Sequence, residues 1–506
     1  MWELELELEL ENQTITQENT VPQIRFTLTA TQVEHEGMNL DDTELAAITK
    51  NILQREISAI ELNQTLEQLT QYARNNGYPA ALAYIPEQTA KEGHLLIKYE
   101  PGRFENIHIE TNGVLKDNVA HRPFAKLHSG DIIVAGKLEE SLRTLRDIPG
   151  IGADAILAPG EKPGTSTLSV SLTPRKPQSY VLYAENYGNQ STGRYRYGLQ
   201  ADWKNLGGTG GKLSLGALIS NGKQYGGNIS YEIPVGHSMT TLGISYSHSD
   251  YELGSIWSQL GVEGKSDTFT LYGRTPLVNT FANSTNLVYA FNHRQLKDEY
   301  NGLDIGDRHT QSFSIGLDGT RRSRHSAIQY NANFHAGTVT PKSAIADTIA
   351  TASHTKGAFS KATIDVTALQ QLGGPFDVMM KLSGQLAGSK LDSSEHIYLG
   401  GARGVRAYPQ GEASGDEGLL GTIEFRYRTK LPGLTFSLYY DAGHVNTEKN
   451  GSGNQTLQGW GIGLTYMKSE DCFARLDYAR RIGLGEGLSN NAESKQRIWF
   501  LLGKMF

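Results

Sequence analysis

The spacing of apolar residues changes character near residue 175. Before that point two periods alternate. Ile24, Phe26 and Leu28 are spaced as on a strand. Leu45, Ile48 and Ile52 are spaced as on a helix that Asp41 or Asp42 can cap. Ser58-Ala59-Ile60-Glu61 is a capping box: the serine accepts from the backbone at the glutamate, which reaches back. Leu62, Leu66, Leu69 and Ala73 carry that helix on, and Gly77 sits where a left-handed stop is wanted. Ala81 to Ile85 and His94 to Tyr99 read as strands. The order strand, helix, helix, strand, strand then recurs. Phe104 to Glu110 is a strand, Lys116 to Leu127 a helix, and Leu138, Leu142, Leu145 and Ile148 line a second helix. Ala155 to Leu157 and Thr167 to Leu172 close the unit as strands. Two copies of a small α+β unit are expected.

From about Gln178 the pattern is near-continuous alternation broken by turns. Leu287, Tyr289 and Phe291 alternate with Val288, Ala290 and Asn292. Ile423, Phe425 and Tyr427 alternate with Thr422, Glu424, Arg426 and Arg428. A sandwich would turn such a charged face to bulk water; a transmembrane barrel turns the apolar face to lipid and the charged one to a wet lumen. One strand fits either, and the tally favours the barrel. About sixteen segments of close to twenty residues fit between 178 and 506, enough for membrane strands of roughly 9–11 residues with their turns. The last, Arg497 to Phe506, puts Ile498, Phe500, Leu502 and Phe506 on one face, as a barrel-closing strand would. The fold class is thus a transmembrane β-barrel of about sixteen antiparallel strands behind two small α+β domains.

Composition agrees. The 506 residues include 56 glycines and 24 tyrosines and are 38% hydrophobic. The mean hydropathy of −0.41 suits a barrel, where only alternate residues meet lipid. No run of about 18 apolar residues offers a helical span. With 47 basic and 54 acidic residues (formal net charge −7), nothing suggests a nucleic-acid partner. Cys472 is alone and cannot form an internal disulfide. The histidines show no His-Glu-x-x-His spacing, and no glycine loop ends in Gly-Lys-Ser/Thr, so no catalytic site, metal, cofactor or nucleotide is expected. Glu-Leu alternation through Glu11 is not a secretory signal, and residues 1–21 are read as the tail of a mature or engineered form.

Three features sharpen the picture. Gly400 to Gly418 is a glycine-rich, acidic loop holding Val405-Arg406-Ala407-Tyr408. Tyr439-Tyr440-Asp441-Ala442-Gly443 lies within an alternating strand, and the chain ends on Phe506. Along Thr435 to Gly443, Phe436, Leu438 and Tyr440 share one face and Ser437, Tyr439, Asp441 and Gly443 the other. Asp441 is therefore expected in the lumen, where a carboxylate wants a cation.

Residues from about 22 to 506 resemble the two-partner secretion transporters, the TpsB group that includes FhaC, the hemolysin activators and CdiB-like proteins. Pro86 and Gln88, in Ile85-Pro86-Glu87-Gln88, resemble the Pro-x-Gln signature of the first POTRA domain. Pro159-Gly160 with Gly164 to Leu168 resembles the end of the second. Val405-Arg406-Ala407-Tyr408 resembles the Val-Arg-Gly-Tyr/Phe tip of loop six, with Ala407 in place of glycine. Tyr439, Asp441 and Gly443 resemble the Phe-x-Asp-x-Gly strand motif, with tyrosine for phenylalanine. The resemblance implies POTRA 1 over 22–101, POTRA 2 over 102–176 and a barrel over 177–506, with loop six at about 392–418. It implies a barrel-closing signal in Phe500, Leu502 and Phe506, and loop six folded into the pore with Arg406 on Asp441. It further implies a monomer in outer-membrane lipid, with periplasmic POTRA domains. These would take an unfolded TpsA-type exoprotein, an adhesin, hemolysin or contact-dependent toxin, for ATP-free secretion through the pore. The amphipathic plug helix of the family is not expected in the residues before POTRA 1. A barrel-assembly insertase shares the loop motif but carries more POTRA units, and a diffusion porin has neither.

Overall fold

The computed structural model describes residues 25–88, 92–252, 261–483, 488–489, 492 and 494–506; the expected tail over 1–21 lies outside them. The chain forms two compact units, Met1–Arg175 and Lys176–Phe506.

The first unit holds two α+β domains. One comprises β1 (Arg25–Thr27), β2 (Ala30–Glu34), α1 (Asp42–Lys50), β3 (Glu56–Ser58), α2 (Ala59–Asn75), β4 (Leu82–Tyr84) and β5 (His94–Glu100). The other comprises β6 (Arg103–Glu110), α3 (Asp117–Ala120), α4 (Ala135–Arg146), β7 (Ile151–Pro159) and β8 (Thr165–Pro174). Each builds a three-stranded sheet, β2-β5-β4 and β6-β8-β7, in which the first and last strands run parallel. The capping box is formed in full: Glu61 N–H donates to Ser58 Oγ (3.3 Å), and Ser58 N–H donates to the Glu61 carboxylate (2.8 Å). Behind it Leu69 and Ala73 are fully buried against Ile57 and Ile97. Gly77 (φ +96°) stops the helix in a conformation only glycine takes cheaply.

Two expectations are corrected. The strand expected at Ile24 to Leu28 exists as β1, but it pairs with β3 in a separate two-stranded sheet; the domain's own first strand is β2. That strand carries one large apolar residue, Val33, too few to show a period. The helix expected over Lys116 to Leu127 stops at Ala120 and resumes as a short 3₁₀ turn, Arg122–Phe124. Pro123 supplies no N–H to continue the ladder.

The second unit is a closed antiparallel barrel. Its strands are β9 (Gln178–Glu185), β10 (Arg196–Leu206), β11 (Gly211–Ser220), β12 (Gln224–Val235), β13 (Thr240–Glu252), β14 (Val262–Asn279) and β15 (Asn283–Tyr300). A two-residue β16 (Leu303–Asp304) follows, then β17 (Arg308–Arg322), β18 (Ser326–Pro341), β19 (Gly357–Gly373) and β20 (Phe376–Ala387). A short helix α5 (Ala344–Ala352) lies between β18 and β19. Past a hairpin of β21 (Ile397–Tyr398) and β22 (Ser414–Gly415), the barrel resumes with β23 (Glu417–Arg428), β24 (Leu434–Asn446), β25 (Asn454–Lys468), β26 (Cys472–Arg481) and β27 (Gln496–Met505). Among the described residues sixteen long strands close the ring, bearing out the expected fold class.

Alternation sets the two surfaces. On β24, Phe436, Leu438 and Tyr440 are 42%, 49% and 40% exposed, whereas Ser437, Tyr439 and Asp441 are 2%, 2% and 1%. An apolar belt open on the outside and a filled polar inside is what lipid demands. The ring closes where β27 pairs with β9, from Leu501 opposite Glu185 to Met505 opposite Val181. Phe506 extends this seam through its backbone N–H to Tyr180 O (2.9 Å), and the Asn186 amide bridges Ile498 O and Phe500 N–H beyond it.

Candidate functional site

Loop six leaves β20, forms the β21–β22 hairpin and carries its tip down into the barrel. Val405 N–H donates to Leu399 O (2.8 Å), and Gly400 and Leu399 donate to Glu412 O and Ala413 O. A Cβ on Gly404 would run into the Leu399 carbonyl, so the tight turn needs glycine. Val405, Ala407 and Tyr408 are then buried with Leu399, Val445, Leu457 and Ala479, a small apolar core inside the lumen. The Tyr408 hydroxyl donates to Gln458 O (3.2 Å).

Arg406 lies in this core, its side chain 7% exposed. Nε and Nη2 each donate at 2.9 Å to the two oxygens of Asp441, a forked pair, and the Arg406 N–H donates to the same carboxylate at 3.1 Å. Nη1 reaches Glu424 (3.2 Å) and Asp477 (3.3 Å), both of which also bind Arg475. The guanidinium carbon stands 3.2 Å over the Tyr439 ring. Tyrosine keeps the ring face that phenylalanine would offer and adds a hydroxyl that donates to Tyr478 O (3.2 Å). Trp499 of β27 donates its indole N–H to Arg406 O (2.7 Å), and Thr422 donates to Asp441 (2.8 Å). Four strands thus hold one arginine whose burial is tolerable only with every donor occupied.

The barrel wall makes room for this. Gly459, Gly461 and Gly463 alternate on β25 with Trp460, Ile462 and Leu464, leaving the lumen face bare opposite Asp441, Tyr439 and Ser437. A Cβ on Gly459 would stand 2.6 Å from the Ala407 methyl. Ala407 itself has no positive φ, so the position does not require the freedom of glycine; its methyl instead fills the gap at Gly459. Gly443 likewise leaves space for Leu399, 2.9 Å from where its Cβ would be.

Sequence reasoning singled out Arg406 and Asp441 but not Glu424, Asp477, Arg475, Trp499 or the glycine row. The row had a signal, Gly-x-Gly-x-Gly alternating with large apolar residues. The other candidates lie elsewhere. In the first α+β domain, Gln88 uses its side-chain amide as a piece of strand, donating to Leu96 O (2.6 Å) and accepting from Leu96 N–H (2.8 Å); its amide nitrogen also meets Pro86 O at 3.4 Å. Leu502 and Phe506 are half exposed on the lipid face, and Phe500 stacks at a tilt on Tyr195, 6.1 Å between centroids.

Over residues 164–466 the chain matches the family described as haemolysin secretion/activation protein ShlB/FhaC/HecB, and over 28–102 the ShlB-type POTRA domain. It is similar to the heme/hemopexin transporter protein HuxB of Haemophilus influenzae, 27% identical across 96% of this chain and 88% of that protein. It is also similar to the outer membrane transporter CdiB of Dickeya dadantii, 24% identical across 87% and 80%. CdiB from Escherichia coli has the same fold, with a TM-score of 0.76 at 18% identity, covering 97% of this chain and 93% of that one.

Proposed function

The chain belongs to the haemolysin secretion/activation protein family ShlB/FhaC/HecB, and on that premise we propose how it secretes its partner. It is an outer-membrane transporter with periplasmic POTRA domains, and its client is a TpsA-type exoprotein. The unfolded client docks on POTRA 1, enters the barrel as loop six rearranges about its anchored tip, and folds at the cell surface, which supplies the pull in place of ATP. The transporter works as a monomer in lipid. Arg406 and Asp441 hold loop six in the resting pore. The observation that carries this reading is the buried fork between a loop arginine and a strand carboxylate, on a loop packed inside an otherwise closed barrel.

The docking edge follows from hydrogen-bond accounting. A sheet edge with free backbone groups captures an extended peptide with little demand on sequence, which suits an unfolded client. In POTRA 1 the β4 edge is covered by α2: Ala83 N–H donates to Thr70 Oγ1 (2.9 Å), and Arg74 Nε donates to Ala81 O (3.2 Å). The opposite edge is β2, the outer strand of β2-β5-β4. An unfolded N-terminal fragment of its TpsA-type exoprotein is therefore expected to bind the full-length transporter and slow amide exchange across Ala30–Glu34 by about tenfold or more. Binding without protection at β2 contradicts the edge, and no binding contradicts the docking step.

A further inference from the structure

The tip of loop six is fixed on β23, β24, β26 and β27, yet the start of the same loop is fixed on a different arc of the wall. Asp392 caps a short 3₁₀ turn, Ser393–Glu395, accepting from Ser394 N–H (3.1 Å) and Ser394 Oγ (2.6 Å). Arg308, at the outer end of β17, grips that carboxylate with a second fork, Nε to Oδ2 at 2.7 Å and Nη2 to Oδ1 at 3.0 Å. Its remaining nitrogen meets Asp298 (2.9 Å). Lys361 of β19 takes both the carboxylate (2.8 Å) and the carbonyl (2.9 Å) of Glu395. Arg294 of β15 reaches Glu395 at 3.4 Å. All these loop charges are acidic and all their wall partners basic. Arg308, Asp392, Lys361 and Glu395 have side chains only 10–12% exposed.

A hydrophobic peg accompanies the charges. Leu391 is 2% exposed and sits among Val339, Phe359 and Ala387 of β18, β19 and β20. Beside it is a cavity of about 470 Å³, bordered by Arg308, Asp392 and His396 below and by Ala346, Ile349 and Ala350 of α5. The loop start thus has a separate seat and space next to it.

We propose that loop six carries a second latch, centred on Arg308 and Lys361, that closes the cell-surface mouth independently of Arg406 and opens to let the client out. Its purpose rests on the export reading; its existence does not. A loop tied on two arcs stays across the lumen when either tie is lost, so release needs both. Charge-assisted forks, each worth more than a neutral hydrogen bond, fit a closure that is firm yet built of exchangeable partners.

The test needs no client. In a Cys472→Ser, Leu391→Cys background, a membrane-impermeant maleimide added outside intact cells reports exposure of the peg. Removing the wall charges with Arg308→Gln and Lys361→Met is expected to speed labelling about tenfold or more. The loop-side pair Asp392→Asn and Glu395→Gln does the same while leaving the barrel wall unchanged, so a wall variant that fails to fold does not decide the matter. Arg406→Ala leaves the rate near that of the parent. An unchanged rate in folded loop-side variants overturns the latch. Equal acceleration by Arg406→Ala overturns its independence. Secretion of the exoprotein, measured separately, reports on the export reading alone.

Discussion

Exchange of Arg406 for alanine is expected to abolish export while leaving the amount of folded barrel in the outer membrane unchanged. The substitution removes no strand-to-strand hydrogen bond, so the barrel keeps its ring. It does leave Asp441, Glu424 and Asp477 buried, with Arg475 still paired to the last two. Removing one partner of a buried ion pair costs about 3–5 kcal/mol, which shifts the seated population of the loop tip by more than about a hundredfold. Arg406→Lys should fall between, since an ammonium keeps the charge but cannot fork onto Asp441 or lie flat on Tyr439. Surface exoprotein measured per unit of barrel checks both. Equal export by all three proteins would make Arg406 a bystander.

Gly459→Ala is expected to damage export without touching any charge. The new methyl would stand 2.6 Å from that of Ala407 and 3.1 Å from Arg480 O. Overpacking of this kind costs about 1–3 kcal/mol, enough to lower the seated fraction roughly 5- to 100-fold. The pairing also supplies its own reversal. Ala407→Gly alone should be mild, and added to Gly459→Ala it should restore more than half of the lost export, because one methyl replaces the other. Failure of that rescue, with both barrels folded, would mean that Ala407 does not rest on Gly459 in the working state.

What the sequence could and could not reveal divides along the range of the interaction. Local rules were sufficient for the Ser58–Glu61 box, for Gly77 and for the alternation that puts Asp441 on the face opposite Leu438. Each depends on neighbours within a few residues. The partners of Arg406 depend instead on which strands stand beside one another. Glu424 was legible as a lumen charge, but nothing local says that it meets an arginine from the loop before it. Trp499 lies 93 positions from the carbonyl it binds. Arg308 and Asp392 are 84 apart, joined only when the start of loop six folds back onto the wall. The helix expected through Pro123 and the missed β2 are errors of another kind. At Pro123 a local period was overridden by an imino acid, and at β2, where no period shows, parallel pairing with β5 made the strand.

This chain alone is expected to pass an unfolded exoprotein through its barrel without nucleotide. The most direct measurement uses proteoliposomes containing only the purified transporter, with the unfolded N-terminal portion of the exoprotein supplied on the POTRA side. The exoprotein is expected on the opposite side, open to added protease there, with no ATP present and with Arg406→Ala giving none. Contradiction would be exoprotein retained on the POTRA side of intact wild-type vesicles, above all if the same vesicles insert an added unfolded outer-membrane barrel.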